Sequence, residues 1–219
     1  MKSSVQSPAS GAGRTLVCFA LSNEAGDFRK RVGIRGDISI LITGIGKANS
    51  GRAFRESLEA SKPDVVFTGG FAGGLNPALS IGDVVFETDD TKLQKTLTNA
   101  DARPASFFCA SLIATTVAEK EKLRRTTGAD VVEMESEIIQ AICRDRGIPC
   151  ATVRVISDAA HENLPLDFNK LSRPDRSLDF IKLLRAVART PRTIPALLKL
   201  HRNTKFAAGR LAEVLEKVV

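Results

Sequence analysis

Tryptophan and tyrosine are both missing from these 219 residues, which leaves phenylalanine as the only aromatic and argues against a stacking platform for single-stranded nucleic acid. Histidine occurs only as His161 and His201, neither at a spacing from cysteine, histidine or acid that resembles a metal site. There is no GxSxG elbow, so a serine triad is not expected. Cys18, Cys109, Cys143 and Cys150 show no CxxC spacing. Without an export signal they read as reduced, buried thiols, which points to the cytoplasm. No apolar run approaches bilayer-spanning length. Both glycine-rich stretches fall short of nucleotide motifs: TGIGKA (43–48) has Ala48 where a P-loop needs Ser or Thr, and GGFAGG (69–74) fails GxGxxG in every register. Neither a metal nor a cofactor is expected.

What is present, 43% hydrophobic and 26% charged residues, is ordinary for a soluble globular protein. The length allows one substantial core, and no internal repeat or interdomain linker interrupts it. Residues 1–13 are rich in Ser, Gly and Ala and are expected to be a disordered leader, leaving 14–219 as the domain. The net charge of +7 is unevenly placed: basic and acidic residues balance at 22 each over 1–175, whereas 176–219 carries ten basic residues against Asp179, Glu213 and Glu216. The chain therefore reads as a neutral body with a basic helical appendage. Three readings of that appendage stay open. It is a solvated face on helices that cover the sheet, a peripheral contact with anionic lipid at the inner face of a membrane, or a nucleic-acid surface, which no recognised motif supports.

Apolar runs at 14–21, 38–42, 65–67, 81–86 and 107–113 predict strands, and helical patterns cover 48–58 and 118–125. Residues 88–106 are polar and without period, so a surface loop is expected there. Leu178, Ile181, Leu184, Val187 and Ala188 mark a helix that Pro191 ends, and Leu211, Val214, Leu215 and Val218 a final one. Strands alternating with helices predict a single α/β domain with a mostly parallel central sheet flanked by helices.

Chemistry concentrates in 131–160, VVEMESEIIQAICRDRGIPCATVRVISDAA. It reads as a strand, a helix ended by Gly147 and Pro149, and a second strand closing on Ser157-Asp158. Were the two strands parallel through a right-handed crossover, Glu133, Glu135 and Asp158 would gather at one carboxyl-end edge of the sheet. A single carboxylate there is more simply a helix N-cap. Several together cost stability unless a ligand or a proton uses them. Glu24 adds a fourth at the end of the first strand, and Arg154, inside a strand, is expected to be buried with a carboxylate. The two glycine stretches read as tight turns at strand ends, with Gly46 in one and Phe71, Ala72 and Gly73 in the other, near enough for their backbone to touch a ligand.

In this order, TGIGKAN (43–49), FAGGLNPALSIGDVV (71–85), VVEMES (131–136) and VRVISDAA (153–160) resemble the nucleoside phosphorylase superfamily. The nearest resemblance is to its 5′-methylthioadenosine/S-adenosylhomocysteine nucleosidases; AEKEKLRRTTGADVVEMES (118–136) and the basic tail look more like hopanoid-associated phosphorylases. The resemblance implies cleavage of a purine N-glycosidic bond. It makes Asp158 the general acid toward N7, oriented by Ser157, and favours adenine. It places Glu135 on the ribose hydroxyls, Met134 against the sugar, Glu133 in support, and Glu24 as the acid that activates water. The hopanoid-associated group implies an adenosine joined to a triterpenoid, which would give the basic tail a purpose.

Two departures bear on the site. Phe71 stands where the nucleosidases have serine, and the segment between Asp90 and Val131 is shorter than theirs, which leaves Leu112 as the candidate for stacking on the base. No histidine or arginine marks a phosphate site, so water is favoured as nucleophile. A phosphate-dependent phosphorylase and a non-catalytic adenine-nucleoside binding protein remain the alternatives. A homodimer is implied, since sites in this family are often closed by a neighbouring subunit.

Overall fold

The first strand, β1 (Thr15–Phe19), is buried at every residue, and its side chains divide between two cores. Val17 and Phe19 pack into one, Leu16 and Cys18 into the other. A strand covered on both faces has to be apolar throughout, which is why TLVCF shows no alternation. The computed structural model describes residues 13–171 and 180–219. The expected leader therefore lies outside the described residues but for Gly13, as does Leu178 of the predicted helix.

In chain order β1 is followed by α1 (Gly26–Val32), β2 (Ile38–Ile42), α2 (Lys47–Ala60), β3 (Val65–Gly74), β4 (Val84–Glu87), α3 (Thr91–Asn99), β5 (Arg103–Pro104) and β6 (Phe107–Cys109). Next come α4 (Val117–Thr127), β7 (Val131–Glu133), α5 (Ser136–Asp145), β8 (Cys150–Asp158), α6 (Phe168–Leu171), α7 (Phe180–Arg189) and α8 (Ile194–Val218). Among the described residues the strands form one sheet in the order β2-β1-β3-β8-β4-β5, with β7 on β3 and β6 on β7. Most pairings are parallel; β3–β7 and β4–β8 are antiparallel. A single α/β domain with a mostly parallel sheet between helices is therefore what forms.

Helices cover both faces. Phe54 and Leu58 of α2 and Ile139, Ile142 and Cys143 of α5 close one core, while Phe28 of α1 and Ala207, Leu211, Val214 and Leu215 of α8 close the other. Burying these four side chains from α8 stabilises the fold by several kcal/mol, at about 1.5–3 kcal/mol for each large one. The second half of α8 is thus no appendage: it is core, and its charges are partly paired, Arg210 with Asp101 and Glu213, and Lys217 with Glu213. Among the described residues no helix is long and apolar enough to cross a membrane.

Four further expectations need correction. The polar stretch 88–106 contains α3, whose N-cap Asp90 accepts from the backbone N–H of Lys92 and Leu93, and which buries Leu97. One turn of apolar contact (Leu93, Leu97) was too little period to reveal it among seven polar neighbours. GGFAGG is not a turn: it is the second half of β3. The crossover from β7 to β8 is not parallel, because β7 runs antiparallel to β3 while β8 runs parallel to it. Cys18 and Cys143 are buried thiols as expected, but Cys109 and Cys150 are only half-buried.

Candidate active site

The cavity exists because β3 outruns its neighbour. β8 follows one edge of β3 from Val66 to Gly73. On the other edge β1 pairs only as far as Gly69, and β7 begins at Gly73. Gly70, Phe71 and Ala72 have no strand beside them there, a break of about 10 Å at the usual rise per residue. The loop after β1 and the end of β7 face each other across this break, so antiparallel β7 brings its acids to the place where a parallel strand would have been expected to bring them.

The hollow there has a volume of about 200 Å³. Its wall includes Glu24, Phe71, Ala72, Gly73, Leu112, Glu133, Met134, Glu135, Ser157 and Asp158. A larger hollow of about 490 Å³ lies at the opposite end of β8, around Glu87, Arg144 and Cys150. It holds none of these acids, so chemistry and not size selects the site.

Each acid is held differently. Glu133 accepts from the backbone N–H of Glu135 and Ser136 at 3.0 and 2.9 Å and from the Ser136 hydroxyl at 2.8 Å. It caps the start of α5, and Arg154 Nη2 reaches it at 2.7 Å. Burial pushes its carboxyl up most strongly, yet Arg154 and these donors outweigh burial and hold it below the ordinary range. Because Glu133 does the capping, the Glu135 side chain is spared that task. Among the described residues it accepts only the N–H of Gly46, at 3.0 Å, and sits 4.0 Å from Arg154. Burial, with Glu133 and Glu24 nearby, pushes it up to about 7 despite Arg154. Glu24, also buried, accepts from Leu21 N–H at 2.9 Å and Phe71 N–H at 3.3 Å, and burial raises it too.

Two of the sequence candidates act from behind the wall. Gly46 spends its N–H on Glu135, fixing that carboxylate at the end of β2 instead of lining the hollow. Arg154, on β8, crosses over β3 to reach Glu133 on β7, also donating to the carbonyl of Thr68 at 2.7 Å. The crossing runs past Gly70, its register partner on β3. A Cβ there would stand 3.4 Å from Glu24 Oε1 and 3.6 Å from Arg154 Nε. Gly69 is similarly constrained, since a Cβ would come within 2.8 Å of the Phe19 ring. Glycines in this strand make room for side chains, not for a turn.

Ser157 and Asp158 both face the hollow although they are consecutive in a strand. The register slips between β3 and β8 here: Ala72 pairs with Ile156 and Gly73 with Asp158, so Ser157 is an extra residue. Such a bulge re-aims side chains that regular alternation would send to opposite faces. Ser157 Oγ donates to Asp158 Oδ1 at 2.7 Å and lies 3.3 Å from the carbonyl of Ala72.

One residue at the site escaped the sequence altogether. Lys120 of α4 is fully buried, and its ammonium donates to Asp158 Oδ2 at 2.6 Å. It also donates to the carbonyls of Ala159 at 2.7 Å and Glu162 at 3.0 Å. Lys120 sits among Glu119, Glu121, Lys122, Arg124 and Arg125, where one more charge looks solvated. Its place between Val117 and Leu123, on the helix face turned inward, was the available sign. Leu112, by contrast, lies on the rim and is 57% exposed. Among the described residues no cluster of His, Cys, Asp and Glu could hold a metal ion.

Comparison with known proteins finds relatives both in sequence and in fold. The 5′-methylthioadenosine/S-adenosylhomocysteine nucleosidases of Glaesserella parasuis and Shewanella oneidensis are 28% and 27% identical over 168 residues, which span 61% of this chain and 73% and 71% of theirs. In fold, the chain is similar to futalosine hydrolase of Helicobacter pylori, at a TM-score of 0.71, 16% identity, and coverage of 94% of this chain and 97% of that one. It is equally similar to the 5′-methylthioadenosine/S-adenosylhomocysteine nucleosidase from Neisseria meningitidis in complex with methylthio-immucillin-A, at 0.71, 17%, 94% and 98%. Residues 24–115 and 103–189 match the phosphorylase superfamily, and with that match spanning the acids of the cavity and strands β2 to β8, the chain belongs to that superfamily.

Proposed function

We propose that this protein is an enzyme that cleaves the N-glycosidic bond of a purine nucleoside, with adenine as the base and water as the nucleophile. The observation that carries the reading is that Glu24, Glu133, Glu135 and Asp158, distant in sequence, wall one hollow of about 200 Å³. As the bond to the base lengthens, positive charge builds on the sugar and negative charge on the base. A site for this reaction must steady both.

The two ends of the hollow divide that work. Around the sugar, three carboxyl groups share one guanidinium, so there is more carboxyl than cation where the oxocarbenium-like sugar forms. Glu135 takes the ribose hydroxyls and Met134 packs on the ring. At the base end, Asp158 gives its proton to N7 as the C1′–N9 electron pair leaves with the purine. Water then joins C1′ and gives its proton to Glu24. The space left by the missing Cβ of Gly70, bordered by Glu24 Oε1 and Arg154 Nε, suits a water between an acceptor and a donor. A phosphate dianion at the same spot would meet the Glu24 carboxyl group, and like charges in contact are costly.

The rim favours an apolar 5′ substituent, since Leu21, Ile45, Leu112, Ile113 and Leu164 surround the opening. A lipid-linked adenosine fits such a rim. Exposed Ile181, Leu198 and Phe206 among the basic residues of α7 and α8 support a peripheral contact with anionic lipid beside it. We further propose a homodimer, with the second copy covering exposed Leu112 and closing the site.

The test is release of free adenine from adenosine, methylthioadenosine and a lipid-linked adenosine, each with and without phosphate. Adenine should appear without phosphate, fastest from the lipid-linked substrate, and should fall by about 10²–10⁴-fold in Asp158→Asn. Release only in phosphate would make the enzyme a phosphorylase, and no release from any substrate would sink the reading. Sedimentation with anionic vesicles, lost at high salt, and elution at twice the monomer mass check the two surface proposals.

A further inference from the structure

We propose that Lys120 is a positioning residue for departure of the base: it fixes the Asp158 carboxyl group and neutralises the charge left on it once its proton has gone to N7. The inference deepens the reading of the cavity as a nucleoside-cleaving site and rests on it.

Three features single out this lysine. Its side chain is wholly buried, and a buried ammonium is costly unless its N–H protons all find acceptors. All three protons are used: on Asp158 Oδ2, on the carbonyl of Ala159 and on that of Glu162. The side chain is therefore locked, and cannot swing away when the carboxyl group changes charge. Ser157 holds the other carboxyl oxygen, Oδ1, at 2.7 Å, so the plane of Asp158 is set from both sides. The two carbonyls belong to the chain that leaves β8, which ties Asp158 and its following loop to α4.

The proton count is closed. The C1′–N9 bond breaks with its electron pair on the base, and the Asp158 proton passes to N7. The resulting carboxylate accepts from an ammonium already 2.6 Å away and from the Ser157 hydroxyl, with no rearrangement. Lys120 transfers no proton and touches no reacting atom. Its contribution should vanish for a leaving group that departs without a proton.

That difference gives the test. In Lys120→Met, kcat for adenine release from adenosine should fall about 100-fold with KM changed less than threefold, as expected for a group that supports general-acid catalysis. Turnover of p-nitrophenyl β-ribofuranoside, whose phenolate leaves unprotonated, should fall less than threefold, so the ratio of the two rates collapses. Equal losses on both substrates, or adenosine turnover within threefold of the unaltered protein, would overturn the proposal. Should Lys120→Met not fold, Lys120→Gln serves under the same criterion, because it removes the charge while keeping two N–H donors for the carbonyls. If the unaltered protein releases no adenine, the parent reading fails first, and this one with it.

Discussion

The two ends of the cavity, proposed to take the sugar and the base, both bury a cation against carboxylates, but in different proportion. At the sugar end Glu24, Glu133 and Glu135 share Arg154, and the surplus shows: Glu133, taken by the guanidinium, is held low, while Glu24 and Glu135 are pushed up by burial. At the base end Asp158 has Lys120 to itself. The contrast teaches that the two halves serve different charges. On the proposed reading, a surplus of acid prepares a place for a cation that forms only during reaction, whereas one buried ammonium holds one carboxyl group in the geometry from which it gives up its proton. Neither arrangement is what stability alone would select, since paired apolar side chains would cost less to bury.

The comparison can be broken most sharply at Arg154. Arg154→Met should leave Glu133 buried beside two other acids with no counter-ion, and the loss should be about 3–5 kcal/mol of unfolding free energy, the usual result of removing one partner of a buried pair. Urea denaturation near neutral pH measures it. A loss below 1 kcal/mol would mean that the acids at the sugar end do not depend on Arg154.

Next in size is the pH dependence that surplus acid imposes. Glu135 keeps its proton up to about pH 7 when folded, against an ordinary 4.5. Between those values the folded state binds more protons than the unfolded chain, so stability falls as pH rises through the window. For Glu135 alone the fall is about 3 kcal/mol between pH 4.5 and 7. Glu24, also raised, adds to it in the same direction. Urea midpoints at pH 5 and pH 8 should therefore lie closer together in Glu135→Gln than in the unaltered protein. If the gap is unchanged, Glu135 is already ionised below pH 5 and the surplus is illusory.

The smallest effect sharpens the comparison without touching a charge. Gly70→Ala places a methyl group between Glu24 and Arg154 at ordinary contact distances, so folding should change by less than about 1 kcal/mol. Turnover should still fall by about tenfold, since displacing a reacting atom by an ångström is costly. Full activity in this variant would put the nucleophile elsewhere.

Much of this was legible from the residues. β1, β2, α4, and the helix and strand of 131–160 could be placed by apolar runs and by glycine and proline punctuation, because those signals are local. Glu24, Glu133, Glu135 and Asp158 stood out as acids at strand ends. α3 did not, since it buries too few residues to leave a period. Lys120 did not either, because nothing in a charged helix tells which lysine turns inward until the sheet beside it is in place. The direction of β7 was misread for the same kind of reason: a strand of three residues carries no information about which way its partner runs.

By itself the sequence determined which residues would be apolar enough to form a sheet covered on both faces, and which acids would end its strands. Those depend on side-chain chemistry and near-neighbour spacing. Only the tertiary structure decided where the acids meet and what each one faces. β3 had to extend past β1 to open the wall, a bulge at Ser157 had to turn Asp158 inward, and Arg154 and Lys120 had to arrive from β8 and α4. A carboxyl group's charge is set by what lies within a few ångströms of it, and in a folded chain most of those neighbours are remote in sequence.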